Sequence, residues 1–171
     1  ERGWTVLGVE PAANIADQAN SDGVPTLPEF FGVEVAESIV VDQGHADVVV
    51  ARNVVPHVAE IHSVIEGLAV VAGDDGIVVI EAHDAQVILE ELHYDSIYHE
   101  HLFYFSFSTL CSLCHRHGLE AFDVHRSPIS GGSHVIFFSR RSRNRSVRLS
   151  QAMDRSASFN QAEAWSKFAS G

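Results

Sequence analysis

Basic side chains are scarce in this sequence of 171 residues, which has 11 lysines and arginines against 23 aspartates and glutamates and a formal net charge of −12. Proteins that bind along a nucleic-acid backbone depend on clustered lysine and arginine to neutralise the phosphates. The balance therefore argues against a nucleic-acid partner. It leaves room for a small-molecule substrate, including a single nucleotide, because one nucleotide needs only a few local donors.

Long apolar runs and widely spaced cysteine pairs are also missing. No run reaches the ~18 apolar residues that a membrane span requires, and the first residues do not have the pattern of a secretory signal. The two cysteines, Cys111 and Cys114, lie close together on a predicted helix and do not form a disulfide framework. We therefore expect a cytoplasmic protein that does not bind membranes.

Apolar runs and helical patterns alternate along a chain in which 46% of the residues are hydrophobic. The predicted elements are a strand at 5–10, a helix at 12–19, a strand at 46–51, a helix at 57–71, a strand at 77–81, a helix at 108–117, and strands at 119–124 and 133–139. Strand–helix–strand alternation with continuously apolar strands predicts an open, mostly parallel α/β sheet. The short glycine-containing connection before residue 133 predicts an antiparallel pair at the end.

The ends of this domain differ from a complete nucleotide-binding sheet. The glycine-rich GxGxxG turn that normally follows the first strand of such a sheet is absent from the sequence, so the first strand and its loop are predicted to be missing. Residues 1–140 are predicted to form the α/β domain. Residues 141–171 are predicted to be a helical extension or linker, because the composition changes at RRSRNRS and the helical pattern of 147–168 is expected to leave the sheet.

Polar residues follow two of the predicted strands, where ligands of open α/β sheets bind. Glu10 ends the first strand, where a carboxylate can accept hydrogen bonds from the two ribose hydroxyls of a nucleotide. The same position also suits an acidic residue at a helix N-terminus, followed by proline. Asn53 and His57 lie just beyond the strand at 46–51. His57 is therefore a candidate site residue, or simply a solvated histidine at a helix start.

A segment with four potential zinc ligands, Cys111-Ser-Leu-Cys114-His115-Arg-His117, has two interpretations. On a helix, Cys111, Cys114 and His115 share a face while His117 points elsewhere. A structural zinc site of this type normally needs a second ligand pair at a distance. Free cysteine otherwise behaves as a small hydrophobic residue, and the sequence favours a core helix.

The densest polar cluster is Tyr98-His99-Glu100-His101, which lies between apolar and aromatic residues. In an extended segment, His99 and His101 would share one face and Tyr98 and Glu100 the other. The helical spacings of histidine–carboxylate metal sites are absent. A histidine, a phenol and a carboxylate suit acid–base chemistry. A polar surface turn is the remaining alternative, although the aromatic flanks would desolvate the cluster and shift its pKa values.

Five segments, in order GVEPA, ARNVVPHV, VVIEA, DSIYHEHLFYFS and SPISGGSHVIFFSRR, resemble the SAM-dependent C-methyltransferases that act on nucleotide-linked deoxy-keto-sugars. The resemblance extends from about residue 3 to residue 140. It implies a partial class I methyltransferase sheet and S-adenosyl-L-methionine as the cofactor. Members of this family also have an N-terminal zinc module and a C-terminal α/β domain, and neither matches a segment of this chain.

The resemblance also implies roles for individual residues. Glu10 matches the carboxylate that binds the ribose of the cofactor, and Asn53 would lie beside its methionine portion. The residues that would line the chemical centre are His57, Tyr98, Glu100 and His101. We further expect His99 and Glu81 to contact the substrate, a small molecule that is a nucleotide-linked keto-sugar, and we expect no metal.

The implied chemistry begins with removal of a proton from the carbon beside a ketone, and His101 is the expected base. Tyr98 or His57 would donate a hydrogen bond to the developing oxyanion, and Glu100 would orient a histidine or hold a sugar substituent. Two alternatives remain at this stage. The acceptor could be a ketone or acid that is not a sugar, or the chain could be a non-catalytic binding domain that lost the cofactor loop. The segment Ala82-His83-Asp84, which follows Glu81, departs from the family, which tends to have proline and an aromatic residue there.

Overall fold

The strands of this computed structural model, which describes residues 3–157, 159 and 162–170, form two sheets. The strands are β1 (Gly8–Val9), β2 (Thr26–Leu27), β3 (Val48–Arg52), β4 (Ile77–His83), β5 (Glu120–Ser127) and β6 (Ser133–Ser139). β1 pairs with β2, and the second sheet has the order β3-β4-β6-β5. β4 therefore lies inside the larger sheet, with a partner on each side.

The strand directions confirm the predicted fold class. β1 runs parallel to β2, and β3 runs parallel to β4. β6 is antiparallel to both β4 and β5, so β3, β4 and β5 point the same way and β6 alone is reversed in this sheet. The antiparallel pair predicted at the end of the domain is present, with the tight 3-10 turn Ile129–Gly131 between its strands.

Seven helices connect and cover the described strands. They are α1 (Ala13–Ser21), α2 (Val33–Gln43), α3 (Ile61–Ala72), α4 (Ala85–Glu90), α5 (Phe107–His115), α6 (Val147–Ala157) and α7 (Ala162–Phe168). β2, α2 and α4 were not predicted. The predicted start of α3 at His57 is wrong, because Val55–His57 forms a separate 3-10 turn that contains Pro56. α5 begins after Ser106, whose side chain accepts from the Thr109 N–H, rather than after Ser108.

The main core lies on one face of the larger sheet. Val78 and Ile80 of β4 and Ile136 and Phe138 of β6 are all fully buried there. Helices α3, α5 and α6 contribute to the same cluster. Each aliphatic or aromatic side chain buried in this way contributes about 1.5–3 kcal/mol relative to an exposed one, so this layer holds β4, and the loops at its end, in place.

The helical pattern of residues 147–168 is confirmed in the described part, but α6 does not leave the sheet. Its Leu149 is 1% exposed and its Ala152 is 3% exposed, and both lie in the main core. The hydrogen bond from the Ser146 N–H to the Phe122 carbonyl attaches the start of the helix to β5. Apolar residues on one helical face therefore fold α6 back onto the domain.

The two sheets share a helical layer but no hydrogen bonds within the described residues. Val9 of β1 and Val49 of β3 both pack against the cluster around α2. β1 and β3 each have a strand partner on one side only, and Val48 and Val50 of β3 are 48% and 64% exposed. Among the described helices, none has both the length and the apolar character needed to cross a bilayer.

Candidate active site

A cavity of about 410 Å³ opens at the carboxyl end of β3 and β4. Its walls come from four segments: the loop after β3, the last residue of β4, residues 93–101, and the turn before β6. Ligands of open α/β sheets bind in such a crevice, because the loops there are held by the strands beneath them. This cavity is the candidate active site.

The loop after β3 is attached to both neighbouring segments. The Asn53 N–H donates to the Glu81 carbonyl at 2.9 Å, and the Pro56 carbonyl accepts from the N–H groups of Leu102 and Phe103. Asn53 has a φ of +53°, a left-handed conformation that asparagine tolerates better than most residues. Residues 53–57 are therefore held against the end of β4 and against the histidine-rich segment.

His101 is oriented by hydrogen bonds at both ring nitrogens. Its Nδ1 lies 3.0 Å from the Ser96 carbonyl oxygen and its Nε2 lies 3.1 Å from the Tyr98 hydroxyl. A carbonyl oxygen can only accept, so Nδ1 carries the proton and donates. In the neutral ring, Nε2 then has a lone pair that accepts from the Tyr98 O–H. The geometry therefore places the basic nitrogen of His101 next to the phenol.

Tyr98 and His101 meet because the chain turns between them. The His101 N–H donates to the Tyr98 carbonyl at 3.1 Å, the hydrogen bond of a four-residue turn, and the two rings lie 4.2 Å apart between centroids. The segment is therefore not extended here, and Tyr98 and His101 lie side by side rather than on opposite faces. Tyr104 supports the turn, since its hydroxyl accepts from the Tyr98 N–H at 3.2 Å.

His57 lies beside this pair, with its ring centroid 4.7 Å from that of His101. Its Nδ1 lies 3.0 Å from the backbone carbonyl oxygen of Glu100, so Nδ1 donates and the lone pair of the neutral ring is on Nε2. The exposed Glu100 side chain does not line the cavity, and neither does the exposed His99. Glu100 contributes to the site only through its backbone carbonyl, which accepts a hydrogen bond from His57.

Glu81 and Glu10 lie outside the cavity walls. Glu81 is 6% exposed, and its Oε2 lies 2.7 Å from Nε of Arg52, its register partner on β3. Its Oε1 is buried without a hydrogen-bond partner among the described residues. Glu10 follows β1 and is half-buried, with Oε1 accepting from the Ala12 N–H at 2.9 Å. Only Oε1 of Glu10 takes part in the hydrogen bond at the start of α1.

Sequence reasoning missed His83, His93 and Asp95, which all line the cavity. His83 is the last residue of β4, and the rule that sites form at strand ends could have identified it. Burial, together with the nearby positive charge of His93 and His101 when these are protonated, lowers the pKa of His83 below its usual range. No local pattern marks His93 and Asp95, whose position depends on how the segment after α4 packs.

Backbone strain is concentrated at the same place. Among the described residues, the non-glycine residues with positive φ are Asn53, Leu92 and Ser130. Asn53 and Ser130 line the cavity, and Leu92 directly precedes His93. Such conformations cost about 1–3 kcal/mol each and cluster at functional sites. They are a second, independent indication that this cavity is functional.

The cysteine pair lies in the core rather than in a site. Cys114 is fully buried in the main cluster and Cys111 packs against it. Burial raises the pKa of the Cys111 thiol to about 12, and it raises that of Cys114 as well. Metal ligation needs the thiolate, which this environment disfavours. Among the residues that the structure describes, no group of three potential ligands is placed to hold a metal ion.

Comparison with known proteins gives consistent results. A family model described as a methyltransferase domain matches residues 1–124. The chain is 39% identical over 137 residues to the C-methyltransferase NovU of Streptomyces niveus, an alignment that covers 80% of this chain and 33% of NovU. The chain therefore spans about a third of the length of this relative.

Solved structures with similar folds have much lower sequence identity. A SAM-dependent methyltransferase of Thermotoga maritima, described as a possible histamine N-methyltransferase, is 18% identical with a TM-score of 0.58, over 80% of this chain and 73% of that one. Magnesium protoporphyrin IX methyltransferase of Synechocystis PCC 6803, with bound SAH, is 15% identical with a TM-score of 0.61, over 82% and 65%. At this identity the two structures support the fold alone.

Proposed function

Because the chain belongs to the methyltransferase domain family, we propose that it is part of an enzyme that transfers a methyl group from S-adenosyl-L-methionine to a carbon atom. The proposed acceptor is a nucleotide-linked keto-sugar, and the carbon is the one beside the ketone. The relative NovU is a C-methyltransferase, and the motif around Tyr98 and His101 resembles that of enzymes acting on such sugars.

The observation that carries this proposal is the hydrogen-bonded pair of Tyr98 and His101 at the wall of the cavity. Methylation at carbon requires a carbon nucleophile, and a ketone provides one after loss of an α-proton. His101 Nε2 has the lone pair for that proton, since Nδ1 is committed to the Ser96 carbonyl. A positioned general base of this type contributes typically about 10²–10⁴ to the rate.

Tyr98 has a second task in the same step. When the acceptor enters, its O–H can turn from His101 Nε2 to the ketone oxygen. This one movement frees the basic lone pair and supplies a donor where negative charge develops. The α-proton then passes to His101 Nε2 and the C–H electron pair forms the enolate.

His57 is held for a supporting role. With Nδ1 donating to the Glu100 carbonyl, it can donate from Nε2 only as the imidazolium. In that form it would stabilise the enolate through charge as well as through a hydrogen bond. Glu100 acts here as an orienting residue through its backbone carbonyl, whereas its carboxylate and His99 lie outside the cavity wall.

The residues present fit the cofactor at two positions. The Glu10 Oε2 is not used by the start of α1, so this carboxylate can still accept from a ribose hydroxyl. Asn53 lines the cavity and is held in place by Glu81, which suits contact with the methionine portion. The cofactor supplies an electrophilic methyl group when bound. Glu81 does not line the cavity. Its backbone carbonyl holds Asn53, and its carboxylate holds Arg52.

The proton-removal step can be tested without the cofactor. In D2O, a chain with a working base exchanges the α-hydrogens of a bound ketone for deuterium, which proton NMR follows directly. With dTDP-4-keto-6-deoxyglucose as the probe, we expect exchange well above the rate in buffer alone. Exchange no faster than in buffer would contradict an enolising site, and it would favour a binding domain without catalysis.

The methyl-transfer step is tested with the full-length protein. That protein, supplied with methyl-labelled S-adenosyl-L-methionine and the same keto-sugar, is expected to place the label on carbon. Label on a nitrogen or oxygen of the acceptor would overturn the assignment as a C-methyltransferase while leaving the family intact.

A further inference from the structure

The last residue of β4, His83, has no place in the chemistry described so far. It is 8% exposed and lines the cavity that holds Tyr98 and His101. Its β4 position is fixed by pairing with Ser133 of β6, and β4 has a strand on each side. The imidazole is thus attached to a strand that is paired on both sides.

One ring nitrogen of His83 lacks a partner. Its Nε2 is buried and makes no hydrogen bond to any residue that the structure describes. The other histidines of the cavity are engaged: His57 with the Glu100 carbonyl, His101 with Ser96 and Tyr98, and His93 with Glu91 at 3.2 Å. Buried polar atoms are nearly always paired, and an exception requires an explanation. A ligand that completes the hydrogen bond explains this one.

The chemistry of the ring limits what that ligand group can be. Burial lowers the pKa of His83, so the ring is neutral at neutral pH. A neutral imidazole offers one N–H donor and one acceptor nitrogen. A hydroxyl group can satisfy either tautomer, because it donates and accepts, whereas a ketone oxygen or a carboxylate can only accept.

The wall around His83 is built tightly. The His93 ring lies 5.9 Å from that of His83 between centroids, and it packs against Gly131, where an added Cβ would come within 2.7 Å of the ring. Gly131 has a φ of +78°, and Ser130 before it has a φ of +56°. Such a backbone holds its shape only if its surroundings enforce it, which gives a preorganised subsite.

We propose that His83 Nε2 forms a hydrogen bond with a hydroxyl group on the sugar ring of the acceptor, so that His83 determines which keto-sugars bind. The proposal rests on the proposed function, since it names a contact to that acceptor. His83 is a specificity residue in this scheme, and the bond-breaking steps do not involve it.

The test is isothermal titration of the 171-residue chain with two probes, dTDP-4-keto-6-deoxyglucose and dTDP, which lacks the sugar. The variants are His83→Phe, which keeps a ring without hydrogen bonds, and His83→Gln, whose side-chain amide can replace Nε2. His115→Phe is the matched control, because His115 is exposed on α5 and contacts Glu120.

We expect His83→Phe to bind the keto-sugar roughly tenfold more weakly, the loss of one hydrogen bond between neutral groups. Its affinity for dTDP should be unchanged. His83→Gln should recover most of the loss, and His115→Phe should bind both probes like the unchanged chain.

The remaining outcomes separate the two proposals. Wild-type binding of the keto-sugar no tighter than that of dTDP would overturn the proposed acceptor, and this contact with it. Tighter wild-type binding that His83→Phe leaves intact would overturn the role of His83 alone. If His83→Phe does not fold, the ¹⁵N resonances of the wild-type His83 ring test the same contact. They should move on addition of the keto-sugar but not of dTDP, and the absence of such a shift would refute the contact.

Discussion

Replacing His101 by alanine is the most direct test of the proposed base. The change removes Nε2, which holds the lone pair beside Tyr98, and Nδ1, which donates to Ser96. We expect the rate of α-hydrogen exchange in the keto-sugar to fall by about 10²–10⁴. That loss corresponds to about 3–5 kcal/mol of transition-state stabilisation, since each tenfold change in rate is about 1.4 kcal/mol.

The effect on folding should be much smaller. His101 is half-buried, and its two hydrogen bonds contribute about 1 kcal/mol each to stability. A domain of this size is stable by about 5–15 kcal/mol, so the variant should remain folded. Circular dichroism and a denaturant titration check this before any rate is interpreted.

A second variant, Tyr98→Phe, tests the link between the two residues. Removing a donor to a developing oxyanion typically costs about 10²–10³ in rate. Because both residues act in one step, the double variant should be little slower than His101→Ala alone. Additive losses would mean that they act in separate steps.

One result would contradict the assignment of His101 as the base. If His101→Ala keeps its exchange rate within about threefold while His57→Ala loses it, the base is His57 and the tautomer argument for His101 is irrelevant to catalysis. His115→Ala serves as the control, because its side chain is 70% exposed and lies outside the cavity.

Four further predictions concern cofactor binding and stability. Isothermal titration of the 171-residue chain with S-adenosyl-L-methionine should show weak or no binding, because no glycine-rich loop occurs in the sequence; micromolar binding would contradict this. Gly131→Ala should shift the NMR signals of His93, since the new Cβ would lie 2.7 Å from that ring. It should also lower the melting temperature, because Gly131 has a φ of +78°, which alanine adopts only with strain. An unchanged spectrum would refute the packing of His93 against Gly131. Arg52→Met should destabilise the fold by about 1–3 kcal/mol in denaturant, less than for a fully buried pair because the Arg52 side chain is 60% exposed, and adding Glu81→Gln should recover part of the loss. The free energy of unfolding should fall as the pH drops below about 6.5. Burial lowers the pKa of His134, so in that range the unfolded chain binds a proton more readily than the folded chain does. Denaturant titrations at pH 7.5 and 5.5 should show a smaller difference in unfolding free energy for His134→Gln than for the unchanged chain.

The sheet could be predicted where the sequence is continuously apolar. β4 and β6 come from runs such as IVVI and VIFF, and their bounds agree with prediction closely. β2 and α2 were missed because the stretch between residues 24 and 45 mixes apolar and polar residues without a clear period. α2 is nevertheless held by tertiary packing, since its Ala36 and Ile39 are buried against both sheets.

Of the residues predicted for the site, Asn53, His57, Tyr98 and His101 line the cavity, whereas Glu10, Glu81, His99 and Glu100 do not. Motif position identified Tyr98, His101 and His57 as neighbours, and the structure brings their rings together. The pairing depends on a turn that alternation could not predict, and Glu100 enters the site through its carbonyl rather than its carboxylate. The predicted division of the chain at residue 140 stays a prediction, although α6 packs into the main core.

By itself, the sequence determined which residues form the central strands and which side chains can do acid–base chemistry, because both follow from local pattern and functional groups. Only the tertiary structure decided which ring nitrogen of His57 and of His101 is basic, and that His83 has a buried nitrogen without a partner among the described residues. For His57 and His83 these properties depend on segments far apart in the chain, through the contact of His57 with Glu100 and the pairing of His83 with Ser133. For His101 they depend on a turn whose geometry the residue pattern does not specify. The segment IYHEH thus indicated acid–base chemistry, and the fold determined which nitrogen of His101 faces Tyr98.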